Sequence, residues 1–129
     1  MSDPAPVLRL LYIDDDRALS RLVEKELSRD GYAVTCAPDG EAGLAFLRTA
    51  EFDVCALDHY MPGREGLDVL PDILGLSAPP PVVYVTGAQE GRIAVAALRA
   101  GAADYVIKDV SEDFTSLLRS ALEDAVLRR

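Results

Sequence analysis

Five short apolar runs, each followed by a longer stretch with helical periodicity, constrain this chain more than any other feature in it. The runs are Leu8 to Ile13, Ala33 to Ala37, Val54 to Leu57, Val82 to Val85 and Tyr105 to Ile107. All are rich in Val, Ile, Leu or Tyr, and each reads as a buried strand. Between and after them lie the helical stretches. In the last, Phe114, Leu117, Leu118, Ala121, Leu122 and Ala125 recur at three and four residues and form one apolar stripe. The first shows Leu19, Leu22, Val23 and Leu27 on one side and stops at Gly31, a residue favoured just past a helix end. Gly40 to Ala50 and Glu90 to Ala100 are alanine-rich helices, and Gly66 to Leu76 is a helix that Pro71 should kink or shorten. Strict alternation of strand and helix predicts a parallel sheet, because parallel neighbours need crossover connections, and those connections place helices on both faces. The strands lack one-sided polar alternation, as burial on both faces requires. The predicted architecture is a three-layer α/β sandwich.

A chain of 129 residues, without internal repeat or linker, fits one domain, residues 1–129, with residues 1–6 as a flexible tail. Its 50% hydrophobic and 27% charged residues suit a folded core. The 13 basic against 22 acidic residues give a net charge of −9 with no local basic patch, which argues against nucleic acid and anionic membranes as direct partners. Cys36 and Cys55 each sit inside an apolar run, as small core hydrophobes in a reducing compartment. The start of the chain lacks the features of a signal peptide. Gly75, Pro79, Pro80, Pro81 and Gly87 interrupt the longest uncharged stretch, so a membrane helix is not expected and the location expected is cytoplasmic. The chain ends at Arg128 and Arg129 soon after the fifth helix, and no DNA-binding or catalytic output domain is expected within it.

Four of the five runs stop at residues foreign to a core: Asp14 and Asp15 after the first, Asp58 after the third, Thr86 after the fourth and Lys108 after the fifth. In an open parallel sheet the crevice outside the carboxyl ends of the strands is where ligands bind. Eleven of the 13 basic residues are arginine and the only other lysine is Lys25, so a compact ammonium at position 108 stands out. Three converging carboxylates repel one another, and a hard divalent ion such as Mg2+ resolves the repulsion. Zinc is a poor match, since no thiol joins the set and His59, the single histidine, should point to the opposite face of its strand from Asp58. Asp14, Asp15, Asp16 and Arg17 stand where a nucleotide binder would place glycines. No Ser/His/Asp or Cys/His arrangement is visible either, because no acid supports His59 at a sensible position. What remains is a carboxylate nucleophile attacking a phosphoryl group, with a metal and a lysine neutralising the charge on its equatorial oxygens.

Four motifs now stand in order at the ends of strands: Tyr12-Ile13-Asp14-Asp15-Asp16, Leu57-Asp58-His59-Tyr60-Met61-Pro62-Gly63, Val85-Thr86-Gly87 and Tyr105-Val106-Ile107-Lys108. The chain resembles a response-regulator receiver domain of bacterial two-component signalling, similar to the chemotaxis regulators, over essentially its whole length. The resemblance implies a flavodoxin-like sheet in the order 2-1-3-4-5. It implies that Asp58 is the phosphoacceptor, that Asp14, Asp15, Asp58 and the backbone carbonyl of Tyr60 hold Mg2+, and that Lys108 pairs with the phosphoryl oxygens. Thr86 then completes the clamp, and Tyr105 acts with it as a switch. The implied partners are a sensor histidine kinase or histidine phosphotransfer protein and a downstream target or output domain. A homodimer through the face of the fourth helix, fifth strand and fifth helix is also implied. Such a chain is a switch and not an enzyme, beyond its own aspartyl phosphorylation and dephosphorylation.

Two other readings compete. One is a degenerate receiver that only binds proteins, against which the complete acidic, hydroxyl and lysine set argues. The other is a phosphatase with Asp58 as nucleophile, which suffers because Tyr60 stands where its general acid would be. The chain departs from the family at Lys108-Asp109, where Lys-Pro is usual. A cis peptide is not expected without proline, so the loop after the fifth strand should differ. Asp16 is expected to cap the first helix, Arg64 and Glu65 to form a solvated loop pair, and His59 and Tyr60 to pack the loop beside the acceptor. Pro79 to Pro81 read as a stiff entry to the fourth strand.

Overall fold

A computed structural model describes residues 8–108 and 113–129. The expected tail over residues 1–6 and the departure at Asp109 lie outside the described residues. The elements alternate as predicted: β1 (Arg9–Ile13), α1 (Arg17–Arg29), β2 (Ala33–Ala37), α2 (Gly40–Thr49), β3 (Val54–Asp58), α3 (Gly66–Leu74), β4 (Val82–Thr86), α4 (Gly91–Arg99), β5 (Asp104–Ile107) and α5 (Phe114–Leu127). The sheet is parallel throughout in the order β2-β1-β3-β4-β5. Alternate residues of β1 to β4 feed two separate cores, and β5 adds Val106 to the first. Leu10, Tyr12, Ala56, Val83 and Val106 pack with Val23 and Leu27 of α1 and Leu118 and Leu122 of α5. Leu11, Ile13, Leu57 and Tyr84 pack on the other face with Leu44, Val69, Ile73 and Ala97 from α2, α3 and α4.

Not every apolar run is buried. β1, β3 and β4 have a neighbour on each side and are closed off almost completely, whereas the edge strands β2 and β5 are largely half-exposed. Two leucines also leave the stripes assigned to them. Leu22 is 43% and Leu117 55% exposed, because each lies one residue, about 100° of helix, from Val23 and Leu118, the residues that face the sheet. α3 accommodates Pro71 in its interior and ends at Leu74, two residues short of Leu76, with the Gly75 N–H bonded to the Pro71 carbonyl at 2.9 Å. Asp16 caps α1, its Oδ1 accepting from the Leu19 N–H at 3.0 Å, as expected. One glycine matters for the site. Gly66 begins α3 against the Tyr84 hydroxyl and the Asp58 carbonyl oxygen, where any Cβ would overlap them, so α3 can start directly behind the end of β3.

Candidate functional site

The register of the sheet assembles the site. Ile13 stands beside Leu57, Asp58 beside Val85 and Thr86 beside Ile107, so the chain leaves four neighbouring strands at one edge. The period of two then sorts the side chains. Asp14, Asp58 and Lys108 continue the row of Tyr12, Ala56 and Val106 on the α1 and α5 face, and they meet there. Asp14 and Asp58 are buried at 2% and 4% exposure, while Asp15 is exposed. One carboxylate oxygen from each of Asp14, Asp15 and Asp58 lies within 4.8 Å of the others. The Lys108 ammonium reaches Asp14 Oδ2 at 3.0 Å and Oδ1 at 3.2 Å, and stands 3.5 Å from Asp58 Oδ1.

Asp14 is held from two further directions: the Tyr12 hydroxyl donates to its Oδ2 at 3.0 Å and the Asp16 N–H to its Oδ1 at 3.0 Å. Asp58 has fewer partners and a less favourable field. Burial, then the charge of Asp14, pushes its carboxyl up from 3.8 to about 7, against the opposing pull of Lys108. Burial works to lower Lys108, but the carboxylates of Asp58 and Asp14 outweigh it and hold the ammonium above its ordinary value. Burial, followed by the charge of Asp14, also raises the Tyr12 phenol. Three carboxylates thus share one ammonium. An all-oxygen donor set with this charge surplus fits a hard divalent cation such as Mg2+ and offers nothing to a soft one.

Thr86 ends β4 with its hydroxyl buried and without a hydrogen-bond partner among the described residues. A buried hydroxyl left unpaired costs about 1–3 kcal/mol, so its position is one that a new acceptor would relieve. Asp58, Tyr60, Gly87, Glu90 and Lys108 line a cavity of about 460 Å3. The Tyr60 side chain is 60% exposed at its rim, and Tyr105 stands 40% exposed on edge strand β5, outside the residues that line it.

Several partners were not legible in the sequence. His59 does have an acid: its Nε2 lies 2.8 Å from Glu65 Oε2, and its Nδ1 lies 2.6 Å from the Tyr84 hydroxyl. The ring turns onto Tyr84, on the face opposite Asp58, and its partners are a phenol and a carboxylate, which is no nucleophile–base pair. Arg64 and Glu65 are not partners of one another. Arg64 bridges Glu41 at 3.2 Å and Asp72 at 2.7 Å, tying the loop after β3 to α2 and α3, while Glu65 serves His59. The Tyr12 to Asp14 bond follows from the strand period and had a signal in the sequence. Glu90 in the cavity had none.

The family model for the response regulator receiver domain matches residues 10–120. The chain is 35% identical over 120 residues to the transcriptional regulatory protein CseB of Streptomyces coelicolor, a match that covers 93% of this chain and 49% of CseB. It spans about half the length of the curated relatives it matches. Among solved structures it is similar to a response regulator receiver domain protein from Clostridium thermocellum, with a TM-score of 0.83, 28% identity, and coverage of 95% of this chain and 96% of that one. It is also similar to the response regulator TrrA from Thermotoga maritima, solved in complex with Mg2+ and BeF, with a TM-score of 0.74, 26% identity, and coverage of 88% and 98%.

Proposed function

The chain belongs to the response regulator receiver domain family, and on that premise we propose that Asp58 accepts a phosphoryl group from the phosphohistidine of a sensor kinase or phosphotransfer protein. The observation that carries this reading is the cluster of Asp14, Asp15 and Asp58, two of them buried, with Lys108 as the only close cation among the described residues. An ionised Asp58 oxygen attacks phosphorus, the P–N bond of the donor breaks, and the imidazole leaves with its electron pair and takes up a proton. Asp14, Asp15, Asp58 and the Tyr60 carbonyl would hold Mg2+. When bound, that ion keeps Asp58 ionised at neutral pH and neutralises charge on the transferring oxygens. Lys108 is already within 3.5 Å of Asp58 and turns its remaining donors to the phosphoryl oxygens.

Thr86 supplies the readout. Its unpaired hydroxyl donates to a phosphoryl oxygen, which draws the loop after β4 inward, and Tyr105 follows from its exposed position. The surface altered is that of α4, β5 and α5, where Val95, Leu98, Tyr105 and Leu117 are exposed. It suits a homodimer, an output domain or a downstream protein. The curated relatives include transcriptional regulators about twice as long as this chain, which favours an output beyond the receiver in such proteins. A net charge of −9 disfavours direct contact of this domain with nucleic acid. Among the described residues no helix is long and apolar enough to cross a membrane, and we place the activity in the cytoplasm.

The phosphatase alternative is weakened further. Glu90 raises the Tyr60 phenol above its ordinary value, which is the wrong direction for a general acid. Incubation with acetyl phosphate and Mg2+, followed by intact-mass measurement, tests the main reading. One phosphoryl adduct on the parent and none on Asp58→Asn is expected. An adduct that survives Asp58→Asn refutes Asp58 as the acceptor, and none on the parent refutes the reading and leaves a binding module with an idle pocket.

A further inference from the structure

Of the charged groups that line the cavity, Asp16 is occupied in capping α1, whereas Glu90 has neither a structural partner of that kind nor a task in the proposed chemistry. It lines the same cavity as Asp58, Tyr60 and Lys108, and its Oε2 is closed off from solvent with no hydrogen-bond partner among the described residues. A carboxylate in that place needs space behind it, and Gly87 provides that space: a Cβ there would come within 2.8 Å of Glu90 Oε1. The exposed Tyr60 phenol, which lines the same cavity, is the group this carboxylate acts on, raising it above its ordinary value.

The same residue is the N-cap of α4, yet it makes no capping hydrogen bond. Asp16 and Asp39 at the corresponding positions of α1 and α2 do cap, accepting from Leu19 and Ala42. The first turn of α4 carries no acidic residue and includes Arg92. Negative charge is favoured at such a helix end. Glu90 therefore has a good position outside the cavity and holds a poorer one within it, where one of its two oxygens is closed off from solvent and unpaired.

Taken with the function proposed above, on which it rests, this geometry points to Glu90 as a charge-operated latch. We infer that its carboxylate occupies the cavity while Asp58 is unmodified, opposes delivery of an anionic phosphoryl donor, and moves to the N-terminus of α4 once Asp58 carries the phosphoryl group. The driving force is like-charge repulsion inside a partly desolvated cavity. The motion transmits because the carbonyl of Glu90 accepts from the N–H groups of Ile93 and Ala94, so its displacement shifts the first turn of α4. Thr86 pulled inward and Glu90 pushed outward act on the two ends of one short segment, Thr86 to Glu90. Together they rotate the helix that presents Val95 and Leu98.

The test compares the parent with Glu90→Gln, which keeps the shape and removes the charge. Adduct formation from acetyl phosphate in Mg2+ is followed by intact mass at low and high salt. Glu90→Gln is expected to react about tenfold faster at low salt, with the gap narrowing as salt screens the repulsion. Tyr60→Phe keeps the charge but removes the hydroxyl it acts on, and should give a smaller gain. In amide NMR spectra, beryllofluoride with Mg2+ should shift Gly91 to Ala94 in the parent and shift them less in Glu90→Gln. Equal rates for parent and Glu90→Gln overturn the latch, as does a gain for Tyr60→Phe at or above that of Glu90→Gln, or equal amide shifts in the two proteins. A parent that forms no adduct at all instead removes the phosphoacceptor reading beneath it.

Discussion

Two aspartates bracket β3 and have opposite fates. Asp53 precedes the strand at the edge where the chain enters the sheet, and Asp58 ends it at the edge where the chain leaves. Asp53 accepts from the Arg9 backbone N–H at 2.7 Å and from the guanidinium at 3.2 Å, and these hydrogen bonds hold its carboxyl below the usual range. Asp58, five residues on, is pushed to about 7 by burial and by Asp14. Each lines a cavity, of about 480 Å3 at the first edge and about 460 Å3 at the second, so size does not tell the two ends apart. Charge balance does. At the first edge Asp53 has its own guanidinium and remains partly in water. At the second, three carboxylates divide one ammonium, and two of them are buried. A fold tolerates such a frustrated group where a ligand relieves it, and the frustrated end is the one with chemistry to perform.

The largest effect should come from removing that frustration. In metal-free buffer at pH 8, Asp58→Asn is expected to be more stable than the parent by about 2–4 kcal/mol, read as a shift in the urea midpoint. The sign follows from the raised carboxyl. The native state holds this proton more tightly than the unfolded chain, so the group's stabilisation is complete below about pH 3.8 and is lost as pH rises through about 7. Between those values the parent should weaken with rising pH, while Asp58→Asn should lack that component of the slope. A variant weaker than the parent at pH 8 would break the contrast between the two ends.

Asp53→Asn should move the other way, and less. It removes an ion pair whose arginine is half exposed, so a loss of no more than about 1 kcal/mol is expected, smaller still in high salt. The carboxyl is lowered, so its contribution is present above the usual carboxylate range and disappears as pH falls through its native value. The urea midpoints of Asp53→Asn and parent should therefore differ equally at pH 5 and pH 8. A difference that grows between those two values would mean that Asp53 is also frustrated.

The sequence made the convergence of Asp14, Asp58 and Lys108 readable because a parallel sheet delivers every strand end to one edge, and an apolar run that stops at a charge marks that end. Burial was less readable. The runs of β2 and β5 look like those of β1 and β3, and only pairing decides which strands lie at an edge. Leu22 and Leu117 entered the apolar stripes because adjacent leucine and valine positions 100° apart give the same spacing counts until the sheet selects one. The links from His59 to Glu65 and from Glu90 into the cavity depend on the path of loops, which carry no periodicity. Loop path is set by single close approaches such as Gly66 behind Asp58 and Gly87 behind Glu90.

The smallest expected change separates burial from charge as the origin of the frustration. Asp15 belongs to the same trio of oxygens within 4.8 Å, but it is exposed, and water already screens its charge from Asp14 and Asp58. Asp15→Asn should therefore alter metal-free stability by only about 0.5 kcal/mol, far less than Asp58→Asn. Its effect on the cation should be out of proportion to that. The melting temperature of the parent should rise with Mg2+, since an ion that binds only the native state stabilises it in step with its concentration relative to Kd. In Asp15→Asn that rise should vanish over the same range, because one of three anionic oxygens is gone. If Asp15→Asn instead stabilised the metal-free protein as much as Asp58→Asn does, like charge alone would account for the strain. Burial at the end of β3 would then lose its place as the first cause of the raised Asp58 carboxyl.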